Sequence, residues 1–130
     1  MVLAGGSVGI GLSVDNIIVP SGETIVCSDP YVIDGDTLDC NGTRIRLAGI
    51  DAPEKPGHCR EGRSCTPGDP IASGNHLRAL TRGPVVCVPK EMDHYGRTVA
   101  RCRSGERDIS CAMIADGYAV RRYGYILCPG

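Results

Sequence analysis

The chain reads as strands first, then as alternating helix and strand. Thr24 to Ile33 is β-like, and Asp34-Gly35-Asp36 after it is a turn signal. Thr37 to Cys40, Asn41-Gly42 and Thr43 to Ile50 then supply two further strands around a two-residue hairpin turn, so the three predicted strands form a meander. From Asp51 to Pro70 the composition shifts to Pro, Gly, Cys and charge. A loop of that length is usually functional or tied down, and Cys59 with Cys65 could tie this one.

Asp69 suits the cap of a helix that begins at Pro70, carries Ile71, Ala72, Leu77 and Leu80 inward and stops at Gly83-Pro84. Pro84 to Glu91, a turn at Asp93-His94-Tyr95-Gly96 and Arg97 to Arg103 form a second hairpin. Cys87 and Cys102 stand at nearly equal distances from its turn and are expected to pair across it. A short helix from Ser110 or Cys111 to Asp116 closes on Gly117, and the tail from Tyr118 to Gly130 carries three tyrosines and two adjacent arginines.

Composition changes this picture in one respect. There is no Trp and no Phe, so the core must be built of Ile, Val, Leu and Ala, which bury less area per residue than aromatics. Eight cysteines in 130 residues offer compensation, since each cross-link contributes about 2–4 kcal/mol. Their even number points to disulfides, and hence to a secreted or periplasmic location. Buried free thiols, or a zinc site using His58, Cys59 and Cys65, are the alternatives, although no second ligand pair has the usual zinc spacing.

Residues 1–22 are read as an apolar, Gly-rich leader or trimmed export segment ahead of one domain over 23–130; its stretch from Met1 to Val14 carries no Lys or Arg and is shorter than the roughly 20 residues of a membrane span. The net charge of -1 argues at first against a polyanionic partner. Twelve of the 14 bases are Arg, however, and setting aside Asp34, Asp36, Asp51 and Glu54 leaves 11 acids against 14 bases. If those four surround a metal, the rest of the surface is mildly cationic.

Those four acids sit at strand ends or just beyond, where carboxylates can converge for a hard cation. Arg46 precedes Asp51 by five residues, an odd step that puts the two on opposite faces of a regular strand unless a twist or bulge intervenes. Taken singly, Asp34, Asp36 and Thr37 shape a turn, Arg46 is a solvated strand residue like Arg44, Arg97 pairs with Asp93 or another acid, and Tyr125 packs at the chain end.

Three strings in order change that balance: Ile33-Asp34-Gly35-Asp36-Thr37, Arg46-Leu47-Ala48-Gly49-Ile50-Asp51-Ala52-Pro53-Glu54 and Tyr95-Gly96-Arg97. They closely resemble the thermonuclease, or staphylococcal-nuclease-like, family, and the resemblance covers roughly Val26 to Tyr125. It implies a mainly β fold with two short helices, a five-stranded, partly open Greek-key barrel of OB type. By the same resemblance, Asp36, Asp51 and the backbone carbonyl of Ala52 hold one calcium ion, Glu54 is the general base, and Arg46 and Arg97 grip the scissile phosphate. Tyr95, Tyr123 and Tyr125 line the nucleotide pocket. His94 takes a position where the family carries an ordinary surface residue.

The activity so implied is hydrolysis of single-stranded DNA and RNA, and of double-stranded DNA where it breathes, to 3′-phosphate ends, by a monomer with no membrane partner. The best-known members continue with another helix where this chain ends, so Cys111 with Cys128 is expected to secure the tail, and Cys27 with Cys40 to flank the first hairpin. Spacing alone does not choose among the pairings open to eight cysteines. A non-catalytic nucleic-acid-binding module and a calcium-binding scaffold are the rival readings. Neither explains why Asp36, Arg46, Asp51, Glu54 and Arg97 occur together.

Overall fold

A computed structural model describes residues 23–55, 57–59 and 64–129; the expected leader, residues 1–22, lies outside them. The described residues form nine strands and two helices: β1 (Ile25–Cys27), β2 (Tyr31–Asp34), β3 (Thr37–Cys40), β4 (Thr43–Leu47), β5 (Ile50–Asp51), α1 (Pro70–Leu80), β6 (Val85–Met92), β7 (Thr98–Ser104), β8 (Arg107–Asp108), α2 (Ile109–Ala115) and β9 (Val120–Arg121).

The first predicted strand is two. Ser28-Asp29-Pro30 interrupts it, since Pro30 has no N–H to give a ladder. The halves then part company: β1 pairs with β6 and β2 with β3, both antiparallel. The main sheet runs β1-β6-β7-β4-β3-β2, with β4 and β7 parallel and β8 beside β7. Its two edge strands are thus joined by only three residues, which reach at most about 14 Å. A flat sheet of this order would hold its edges about 24 Å apart. The sheet must therefore curl, and the Cys27–Cys40 disulfide ties β1 across to β3 in the same sense.

The third predicted strand also divides, at Ala48-Gly49, into β4 and β5. Gly49 has φ +77°, and a Cβ there would lie 2.5 Å from the Ile126 side chain, so the turn needs glycine twice over. β5 pairs with β9 in a small second sheet, and the Arg122 N–H reaches the Gly49 carbonyl at 3.0 Å. Five strands were expected; the two divisions and the two-residue β8 and β9 make up the difference.

Other elements follow local chemistry. Asp69 caps α1 by accepting from the Ile71 and Ala72 N–H groups, with Pro70 in the first turn. Asp108 caps α2, which ends when the Gly117 and Tyr118 N–H groups return to the Ile114 and Met113 carbonyls. Leu38, Ile45, Leu47, Ile50, Leu77, Val85, Ile109 and Met113 fill the core between sheet and helices. Cys87 and Cys102 face each other in the β6–β7 register and are bonded. The remaining bridges are Cys59–Cys65 and Cys111–Cys128, so all four pairs are those set out from the sequence. The zinc alternative is excluded, because Cys59 and Cys65 are spent on each other.

Candidate active site

The β2–β3 turn delivers Asp34 and Asp36 to one end of the curled sheet. Gly35 between them presses on α1 and the β5 exit: a Cβ there would lie 2.0 Å from Ser73 Oγ and 2.7 Å from Ala52 Cβ. Asp36 is 7% exposed. Its Oδ1 accepts from the Thr37 hydroxyl at 2.9 Å, and its Oδ2 accepts from the Ala52 N–H at 2.9 Å.

Arg46 projects from β4 into the same place. Its Nη1 donates to the Ile50 and Leu47 carbonyls at 2.9 and 3.3 Å and lies 3.5 Å from Asp36 Oδ2. Its Nη2 donates to Asp51 Oδ1 at 3.3 Å. The Gly49 turn thus brings together two side chains that strand periodicity separates. Asp51, 2% exposed, also accepts the Thr66 hydroxyl on Oδ2. Thr66 had no signal in the sequence: it lies in the long loop, outside any periodic pattern.

Burial raises the Asp36 carboxyl, Arg46 lowers it and Asp34 raises it again, with the result pushed up to about 6. The Arg46 guanidinium does not offset the burial of this carboxyl and the nearby charge of Asp34.

An open cleft of about 730 Å³ lies over these groups, lined by Asp34, Asp36, Arg46, Asp51 and Glu54 together with Asp93, Tyr95 and Arg97 of the β6–β7 turn and Tyr123 of the tail. His58, His94 and Arg44 also border it. The Tyr123 ring centre stands 5.4 Å from the Arg46 guanidinium carbon, and that of Tyr95 stands 5.2 Å from the carbon of Arg97. Tyr123 takes φ 63°, uncommon for a residue with a side chain. Ala52 is buried behind the carboxylates. Tyr125 is exposed and is not among the lining residues.

Arg97 carries an ion pair as well as a place in the cleft, its Nε donating to Asp93 Oδ2 at 2.8 Å. Asp93 Oδ1 accepts from the Tyr95 and Arg97 N–H groups. Burial pushes this carboxyl up, but the hydrogen bonds and charge of Arg97 and the Tyr95 N–H outweigh it, and it sits below its ordinary value of 3.8. A lowered acid stabilises the fold above its unfolded value, and that contribution disappears as pH falls through the folded value. Carbon-detected NMR should therefore find Asp93 titrating below 3.8, with faster exchange of the Tyr95 and Arg97 amides once it protonates; titration above that value would contradict the hydrogen-bonded turn.

Among the described residues, no three His, Cys, Asp or Glu side chains are grouped to hold a metal, and no helix is long and apolar enough to cross a membrane. Comparison with known proteins matches residues 44–127 to the family described as staphylococcal nuclease homologue. The succinoglycan biosynthesis protein ExoI of Rhizobium meliloti is 35% identical over 94 residues, 70% of this chain and 49% of its own. Proteins named probable endonuclease LCL3 are 37% identical over 83 residues in Candida tropicalis and over 81 in Candida dubliniensis, each covering 58% of this chain and 33% of the relative. The chain therefore spans half the length of these relatives or less. The match takes in β4, β5, the Glu54 loop, the Arg97 hairpin and Tyr123 together, and by it the chain belongs to the staphylococcal nuclease homologue family.

Proposed function

We propose that this domain is a calcium-dependent nuclease that hydrolyses phosphodiester bonds of single-stranded DNA and RNA, and of breathing duplex DNA, leaving 3′-phosphate ends. The observation that carries this reading is the clasp of Arg46 between Asp36 and Asp51 in a cleft that also presents Glu54, Arg97, Tyr95 and Tyr123. The family's members named endonucleases support it.

The residues suit a hard cation: the donors are oxygens, two carboxylates share one guanidinium, and Asp36 is raised by burial beyond what Arg46 offsets. Asp36, Asp51 and the Ala52 carbonyl would hold calcium, with waters completing the shell. When bound, it supplies positive charge to a phosphoryl oxygen and favours ionisation of a nearby water.

The chain supplies the rest. Glu54 takes the proton of the attacking water. Arg46 and Arg97 present fork-shaped donors to phosphate oxygens as charge builds on them, which an ammonium does less well. Substrate phosphate must compete with Asp93 for Arg97 and with Asp36 and Asp51 for Arg46. Tyr95 and Tyr123 offer faces for splayed bases, and among the described residues that line the cleft none is specialised to read a 2′-hydroxyl.

The same reading takes β1 and β2 as halves of one bent strand of an open OB-type Greek-key barrel, comprising residues 23–130 and acting as a monomer. Four disulfides support export to an oxidising compartment. End analysis of digested single-stranded DNA and RNA tests the reaction. Phosphatase-sensitive 3′ ends from both polymers are expected; 5′-phosphate ends, or attack on one polymer alone, would contradict it.

A further inference from the structure

Thr66 lies where the long loop returns from the Asp51–Glu54 segment towards α1, and it is 4% exposed. Its hydroxyl holds Asp51 Oδ2 while Arg46 holds Oδ1. A carboxylate held on both oxygens has a defined orientation about its otherwise broad terminal torsion, and the Thr66 hydroxyl is one of the groups that set that of Asp51.

Two features keep Thr66 in place. Its neighbour Cys65 is bonded to Cys59, six positions earlier in the chain. Gly68, two residues on, lies so close to the Pro53 ring that an added Cβ would stand 2.8 Å from its Cγ. The loop's return is therefore packed along the segment that carries Asp51 and Glu54.

We infer that Thr66 is a positioning residue for Asp51 and that the Cys59–Cys65 bridge is the clip that seats it, so that opening this bridge loosens the site. The effect on cleavage rests on the nuclease reading above, whereas the coupling of Thr66 to the bridge stands on the geometry alone.

The clip is also the bridge most open to exchange. Cys65 is exposed and Cys59 half-buried, whereas Cys27, Cys40, Cys87 and Cys102 are buried and Cys111 and Cys128 half-buried. With an external dithiol, one thiolate attacks a sulfur of the bridge to give a mixed disulfide, and the second thiol releases it. The protein gains two thiols, and the dithiol leaves as its own disulfide, having given up two electrons and two protons.

The test compares Thr66→Val, Thr66→Ser, the Cys59→Ser/Cys65→Ser pair and the pair combined with Thr66→Val, following the calcium midpoint of the thermal shift without nucleic acid. Thr66→Val should raise that midpoint roughly 10-fold or more, in the range found when partners of metal-ligating groups are removed. Thr66→Ser, which keeps the hydroxyl, should return it close to the original. The serine pair should raise it similarly, and adding Thr66→Val should then change little. An unchanged midpoint in Thr66→Val, or effects of bridge and threonine that multiply, would overturn the inference.

Should Thr66→Val not fold, wild-type protein treated with limiting dithiol and mapped by alkylation decides. Labelling of Cys59 and Cys65 first, with the raised midpoint, supports the clip; labelling elsewhere first, or an unchanged midpoint, overturns it. If wild type shows neither cleavage nor a calcium shift, the nuclease reading fails. The melting temperatures of the same four variants then decide the coupling: a Thr66→Val loss that vanishes without the bridge supports it, and additive losses overturn it.

Discussion

Arg46→Ala is expected to destabilise the calcium-free protein by about 3–5 kcal/mol, as when one member of a buried ion pair is removed and the other charge is left without compensation. Arg46 is 8% exposed and donates to two carbonyls as well as to Asp51, with Asp36 within 3.5 Å, so alanine leaves several buried acceptors and two buried acids without their common partner. Calcium should narrow the stability gap, because a cation bound by the native state alone restores positive charge where the guanidinium was. It should not restore cleavage, which is expected to fall by about 10²–10³-fold with the loss of a donor to the phosphoryl oxygens. Denaturation in chelator and in calcium, run beside cleavage rates, separates these effects. Equal stability of wild type and variant in chelator would show that the clasp contributes nothing to the fold.

Glu54→Gln should spare the fold that Arg46→Ala weakens, leaving stability and DNA affinity near wild type while the turnover rate drops by about 10²–10⁴-fold. Glutamine matches the shape and can still donate or accept a hydrogen bond, but at neutral pH it cannot accept the proton of an attacking water. Glu54 borders the cleft from the loop just after Pro53, so the change should not disturb the core. A loss carried mainly in substrate affinity would make Glu54 a binding residue and leave the base unidentified.

Much of this could be read from the chain because it is local. The Asn41-Gly42 hairpin, the Asp69-Pro70 helix start, the Gly117 stop and the register that opposes Cys87 to Cys102 each depend on a few neighbouring residues. The break at Pro30 carried its own signal, but that the two halves pair with different strands depends on closure of the sheet.

The three strings supply most of the acids and arginines that line the cleft, but their geometry was illegible in the sequence. Periodicity set Arg46 and Asp51 on opposite faces, and only the turn at Gly49, demanded by packing against the distant Ile126, reverses that. The seat of Thr66 on Asp51 depends on a loop whose path is set by a disulfide and by Pro53, neither of which leaves a periodic trace. An ion pair with Asp93 or another acid was the ordinary use expected of Arg97; Asp93 is the partner, and the pair coexists with a place in the cleft.

The most direct test of the central claim is cleavage of a fluorescent single-stranded DNA by the oxidised domain, with calcium and with a chelator, beside Glu54→Gln in calcium. The account predicts rapid cleavage by wild type in calcium alone, with binding but little cleavage by the variant. Cleavage that persists in chelator, or binding without cleavage by wild type in calcium, would contradict it.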